Sequence, residues 1–203
     1  MRKYCYSKNG RRKVQINNEQ DIRTYIKNTL SKSRYEHSCR VYKSAIELAN
    51  HHNIKDLAEV KIAALAHDIL KETSPKTLGE NINLETYEHY PKIWHALSAD
   101  IFLKKKFNIK NEKILKAIKY HTTGNEKMNT IGKIIYIADY IEEKRKIKFR
   151  KTIEKLSYKN LNTAMYLISK IQIHTLKRKN KKIHPLSIKC QQYYRKLYKK
   201  NKA

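Results

Sequence analysis

The chain has 203 residues, with 46 Lys and Arg against 18 Asp and Glu, for a formal net charge of +28. Four glycines and three prolines are too few for the turns of a many-stranded sandwich or barrel, so the expected fold class is all-α. Cys5, Cys39 and Cys190 suggest neither a disulfide framework nor a thiolate metal site, and no stretch reaches the roughly 18 apolar residues of a membrane span.

Residues 1–18 are basic and aperiodic and read as an N-terminal tail, without the apolar stretch of a secretory signal. Over 19–190, apolar residues recur at three- and four-residue spacing, as in one bundle of about eight to ten helices. The first is expected near 19–31, with Ile22, Tyr25, Ile26 and Leu30 on one face, and the second near 34–52. A third, near 56–71, carries Val60, Ala63, Ala64 and Leu65; Asp56 is its expected cap, and Thr73–Pro75 ends it. A short helix is expected from Pro75, then helices near 92–107 and 111–120 with a break at 108–110. After a polar turn at 122–125 comes an apolar helix near 128–143, then amphipathic stretches near 158–177 and 186–200. Residues 191–203 read as a basic C-terminal tail.

The charge has three readings: a nucleic-acid partner, a small polyanionic substrate, or a lysine-rich coding bias. Residues 155–203 contain 14 Lys and Arg and no Asp or Glu, which makes either a solvated face or a rim that attracts phosphates.

Among the nine histidines, a few fall where the apolar pattern predicts burial. His37 opens a helix, His67 and Asp68 end an apolar one, His121 closes Ala117–Tyr120, and Asp139 lies within Ile134–Ile141. A buried carboxylate is costly unless hydrogen-bonded or bound to a metal. Each position alone reads more readily as structural; on four helices of a bundle they point to a shared centre. Imidazoles and carboxylates without thiolates suit iron, manganese, zinc or another first-row divalent ion, and such an ion makes hydroxide available near neutral pH. A metallohydrolase acting on a phosphate ester or anhydride fits best, with the substrate left open. His51-His52 reads as a solvated helix end, and His89, His174, Tyr193, Tyr194 and Tyr198 as local structure or packing.

The order His37, His67-Asp68, Asp139 is similar to the H…HD…D signature of the HD phosphohydrolase superfamily. Five successive motifs are Arg34-Tyr35-Glu36-His37, His67-Asp68-Ile69-Leu70-Lys71, Ile93-Trp94-His95-Ala96, the run from Ala117 to Gly124, and the run from Lys133 to Glu142. Together, over about residues 20–190, they resemble the YqeK-type symmetrical bis(5'-nucleosyl)-tetraphosphatases. That resemblance implies splitting of diadenosine tetraphosphate into two ADP at an iron site of one or two ions, with manganese or another first-row metal as the alternative. It implies His37, His67, Asp68 and Asp139 as metal ligands and Asp68, Lys71, His95 and His121 as catalytic residues. It also implies Arg34, Lys71, His95, His121, Thr122, Asp139 and Arg145 at the substrate. Whether His95 and His121 hold a second ion or the phosphates stays open. The chain departs from the family pattern at Glu143, where a proline is usual, and at His184, where an aromatic is usual.

Two other readings stand beside this one: an HD phosphohydrolase acting on another nucleotide, and a basic helical protein that binds nucleic acid, although no familiar nucleic-acid module occurs. The expected partner is a nucleotide polyphosphate in a reducing cytoplasm, with no membrane; assembly is open between monomer and homodimer.

Overall fold

Apolar residues at helical spacing build eleven helices in the computed structural model, which describes residues 4–6, 12–14, 18–75 and 84–201. The first, α1 (Asn18–Thr29), buries Ile22 and Ile26. It is followed by α2 (Lys32–His51), which starts where the Ser31 side chain accepts from the Arg34 N–H. Glu72 grips the same corner, accepting from Ser31 N at 2.6 Å and Ser31 Oγ at 2.8 Å.

Helix α3 (Leu57–Ala66) is apolar nearly all round, as a helix enclosed on every side must be. Its Val60, Ala63, Ala64, Leu65 and Ala66 are fully buried, and it packs against α1, α2, α7 (Glu112–Lys119) and α8 (Thr130–Ile141). Asp56 does stand at its N-cap but makes no side-chain cap; the carboxylate instead accepts from Lys113 Nζ at 3.1 Å. The helix is shorter than the sequence pattern suggests. After Ala66 the chain runs on in tight turns, with Ile69 N, Lys71 N and Thr73 N bonding to the carbonyls three residues back.

Beyond residues 76–83, which lie outside the described residues along with the helix expected from Pro75, come α4 (Leu84–His89) and a broken pair in place of the helix expected at 92–107. The pair consists of α5 (Trp94–Leu97) and α6 (Ala99–Phe107), separated at Ser98. The left-handed Asn108 (φ 51°) then stops α6, at the break expected from the sequence. In α8, nine of twelve residues are buried, and the helix packs on α2, α3, α7, α9 (Arg150–Lys159) and α10 (Leu161–Arg178). Each fully buried Leu or Ile side chain in this core contributes about 1.5–3 kcal/mol of transfer free energy.

Nothing in the sequence reading corresponds to α9, since only Ile153 and Ser157 of it are buried and a residue in the left-handed region, Phe149, starts it. It is tied to α2 by the two histidines read as solvated: His51 Nε2 and His52 Nε2 each lie 2.8 Å from a carbonyl oxygen, of Tyr158 and Ser157 respectively. The last helix, α11 (Pro185–Lys200), lies along α10 and continues past the boundary expected at 190, with Cys190 and Tyr194 both fully buried. Within the stretch read as a tail, β1 (Tyr4–Tyr6) pairs antiparallel with β2 (Arg12–Val14), Cys5 opposite Lys13. No helix among the described residues is long and apolar enough to cross a membrane.

Candidate metal centre

Two histidines are fixed by one device. His67 follows the last residue of α3 and donates from Nδ1 to Ala64 O at 2.7 Å; His121 follows α7 and donates from Nδ1 to Ile118 O at 2.8 Å. In each, a carbonyl three residues back, freed by the helix end, sets the ring tautomer and leaves Nε2 as the acceptor. The rings stand edge to face with centroids 5.0 Å apart. A third imidazole, His37 in the second turn of α2, donates from Nδ1 to Glu142 Oε1 at 3.3 Å and turns Nε2 to Asp139 Oδ1 at 3.1 Å.

Asp68 lies between these groups, 3% exposed. Its Oδ2 accepts from Arg34 at 2.9 Å and lies 3.9 Å from His37 Nε2 and 3.7 Å from His67 Nε2. Its Oδ1 lies 3.1 Å from His95 Nε2, 3.3 Å from His121 Nε2 and 3.8 Å from Lys71 Nζ, with no aligned hydrogen bond. One oxygen therefore faces His37 and His67, the other His95 and His121. Lys71 Nζ donates to His95 Nε2 at 3.1 Å, and Arg145 reaches back to both the carboxylate and the carbonyl of Asp139. Thr122, next to His121, has a buried hydroxyl without a hydrogen-bond partner. The centre thus unites every site residue expected from the sequence, except that Thr122 is placed by its neighbour rather than by a contact of its own.

Burial depresses the basicity of the imidazoles, His67 to about 3 and His95 to about 4, so both are neutral at pH 7. Burial works against ionised Asp68 and Asp139, but surrounding groups outweigh it: imidazoles and Lys71 for Asp68, His37 and Arg145 for Asp139. Both carboxyls are held well below their usual range. Neutral imidazole acceptors then face carboxylate oxygens at 3–4 Å, a repulsive arrangement unless a cation sits between them. His37 Nε2, His67 Nε2 and Asp68 Oδ1 are all buried without hydrogen-bond partners. The donor atoms of His37, His67 and Asp139 lie within 4.8 Å of one another, as do those of His67, Asp68 and His121. The donor set fits a divalent ion.

The sequence reading names Glu142 only as the end of a motif and assigns it no role; Arg40 it omits. Glu142 is 2% exposed and accepts from Arg40 Nε at 2.7 Å and Lys144 N at 2.9 Å, besides His37. It supplies the carboxylate that orients the His37 ring from behind. Only its place three residues after Asp139, at the end of an apolar helix, hints at this. Glu142→Gln is expected to weaken metal affinity by about 10- to 100-fold, measured by competition with a chromophoric chelator. Unchanged affinity would leave Glu142 a mere anchor for Arg40.

The turn that follows His121 depends on Gly124, at φ +64° with its N–H on Tyr120 O at 2.8 Å. A Cβ there would strike Cys190 Sγ of α11 and lie 3.2 Å from Cys190 Cβ. Gly124→Ala is expected to cost about 2–4 kcal/mol in urea unfolding, from left-handed strain plus overpacking. Pairing it with Cys190→Ala should return the overpacking part alone; no recovery would mean that Cys190 is not the obstacle.

The HD domain profile matches residues 34–144. The chain is 32% identical to the symmetrical bis(5'-nucleosyl)-tetraphosphatase of Bacillus subtilis, over 83% of this chain and 92% of that protein. It is 30% identical to the Staphylococcus aureus protein of the same name, over 87% and 94%. The crystal structure of a predicted HD superfamily hydrolase involved in NAD metabolism from Clostridium acetobutylicum overlays with a TM-score of 0.79 at 32% identity, covering 86% of this chain and 95% of that one.

Proposed function

The chain belongs to the HD domain family, and from that premise we propose that it is a metal-dependent hydrolase that splits diadenosine tetraphosphate symmetrically into two ADP. The observation that carries the reading is Asp68, whose two oxygens face two pairs of imidazoles with no donor to satisfy Oδ1. In this reading His37, His67, Asp68 and Asp139 hold the metal, and His121 and His95 extend the set towards a second ion. Iron is the proposed metal, with manganese or another first-row ion able to substitute. Bound there, a divalent ion supplies Lewis acidity and lowers the pKa of water towards neutrality.

The chain's own groups do the rest. Arg34, Lys71 and Arg145 keep 30%, 29% and 35% of their side chains exposed while anchored to Asp68, His95 or Asp139. Their remaining N–H groups point the tetraphosphate and stabilise charge as it moves to the bridging and departing oxygens. Thr122 adds a hydroxyl that has no other partner. His95, neutral, accepts from Lys71 at Nε2 and so holds that ammonium beside Asp68 for the phosphates. The free thiols of Cys39 and Cys190 suit a cytoplasmic location.

Incubation of the purified protein with diadenosine tetraphosphate and Fe²⁺ or Mn²⁺ should yield ADP alone by ion-exchange chromatography. AMP with ATP would rule out symmetric cleavage. Faster turnover of a different nucleotide in a panel would shift the substrate while keeping the centre.

A further inference from the structure

Half of the net charge sits in the last quarter of the chain. Residues 155–203 hold 14 Lys and Arg and no acid, within a total of +28. The first 154 residues offset 32 Lys and Arg with all 18 acids, whereas the 14 cations after Glu154 have no acid among them. At its turn, five of the six residues 177–182 are Lys or Arg, and all are exposed. Along α11, Lys189, Arg195, Lys196, Lys199 and Lys200 are exposed at helical spacing and form a stripe on one side. Among the described residues the last ion pair in chain order is Arg150–Glu154, so none of these cations is neutralised by a carboxylate within 4.0 Å.

The opposite side of α11 is already used. Cys190 and Tyr194 are fully buried, and Leu197 is packed against the core. A helix that lies in a bilayer must offer an apolar face, and among its large apolar side chains α11 leaves only Ile188 exposed. What it offers is a cationic edge about 17 Å long from Lys189 to Lys200 at 1.5 Å per residue, beside which a nucleic-acid duplex carries roughly 10 phosphate charges. Cations that are lysine in every stripe position but Arg195 suit tracking of a backbone rather than reading of bases.

We propose that the α10–α11 hairpin binds the phosphodiester backbone of nucleic acid without sequence preference, a function separate from hydrolysis at the metal centre. The test uses the full chain in fluorescence anisotropy with labelled 30-nucleotide RNA and 30-base-pair DNA. Neutralising about five phosphates predicts roughly 100- to 500-fold weaker binding at 200 mM than at 50 mM salt. K189E/R195E/K196E/K199E should weaken binding at least tenfold and flatten the salt slope, with circular dichroism unchanged. A control of equal charge change on other exposed lysines, K55E/K105E/K110E/K116E, should stay within about threefold of the unaltered chain. A single preferred arm, RNA or DNA, identifies the source of the phosphates. Three results would overturn the proposal: no binding to either probe at 50 mM salt, equal losses in both variants, or equally tight binding to phosphatidylserine vesicles.

Discussion

Asp68→Asn is expected to lower hydrolysis of diadenosine tetraphosphate by about 10³ or more, the scale for removing a preorganised charge from the reacting centre. The amide keeps the carboxylate's size but replaces one anionic oxygen by a donor. That donor satisfies the acceptor of His121 at 3.3 Å, since His95 Nε2 already accepts from Lys71. Metal affinity falls for the same reason, and although Arg34 keeps an oxygen to bond, the fold loses the ionised carboxylate that its surroundings favour. The urea midpoint of the metal-free variant at pH 7 should fall below that of the metal-free parent with helix content kept, and bound metal by mass spectrometry should drop. Retention of more than a tenth of parental turnover would separate Asp68 from the reaction.

Stripping the metal is expected to cost more than a hundredfold in turnover with little change in helix content, and Fe²⁺ or Mn²⁺ should restore the rate. The centre is preformed, because carbonyls and carboxylates hold His37, His67 and His121 without help from an ion. Metal at 100 times its Kd should raise stability by about 2.7 kcal/mol. The stripped protein should also be acid-labile. His67 and His95 have folded pKa values of about 3 and 4, below the unfolded value of 6.5, so the unfolded chain binds more protons between them. Their contribution is complete above pH 6.5 and is lost as pH falls towards 4 and then 3. A thermal midpoint flat from pH 7 to pH 4 would contradict the burial of neutral imidazoles, and full turnover without metal would end the hydrolase mechanism.

Much of the fold was legible in the residues, because amphipathic spacing is a local property. Ile22 and Ile26 of α1 and the apolar run of α8 were read correctly within a few positions. Failures came where neighbours outvoted the pattern. Tight turns replaced the end of α3 so that His67 and Asp68 face the centre, and α9 buries too few residues to announce itself. His51 and His52 do form an exposed and a half-buried helix end, but the pattern gave no sign that carbonyls of α9 lie 2.8 Å from each ring.

By itself, the sequence determined the helical class and the identity of the chemical groups, since buried histidines and aspartates stand out against an apolar period wherever the chain goes. Only the tertiary structure decided that one carboxylate, Asp68, faces four imidazoles, that Glu142 stands behind His37, and that α11 turns its cations outward. Distances between residues 105 positions apart, as His37 and Glu142 are, depend on how helices pack, and no local pattern encodes them.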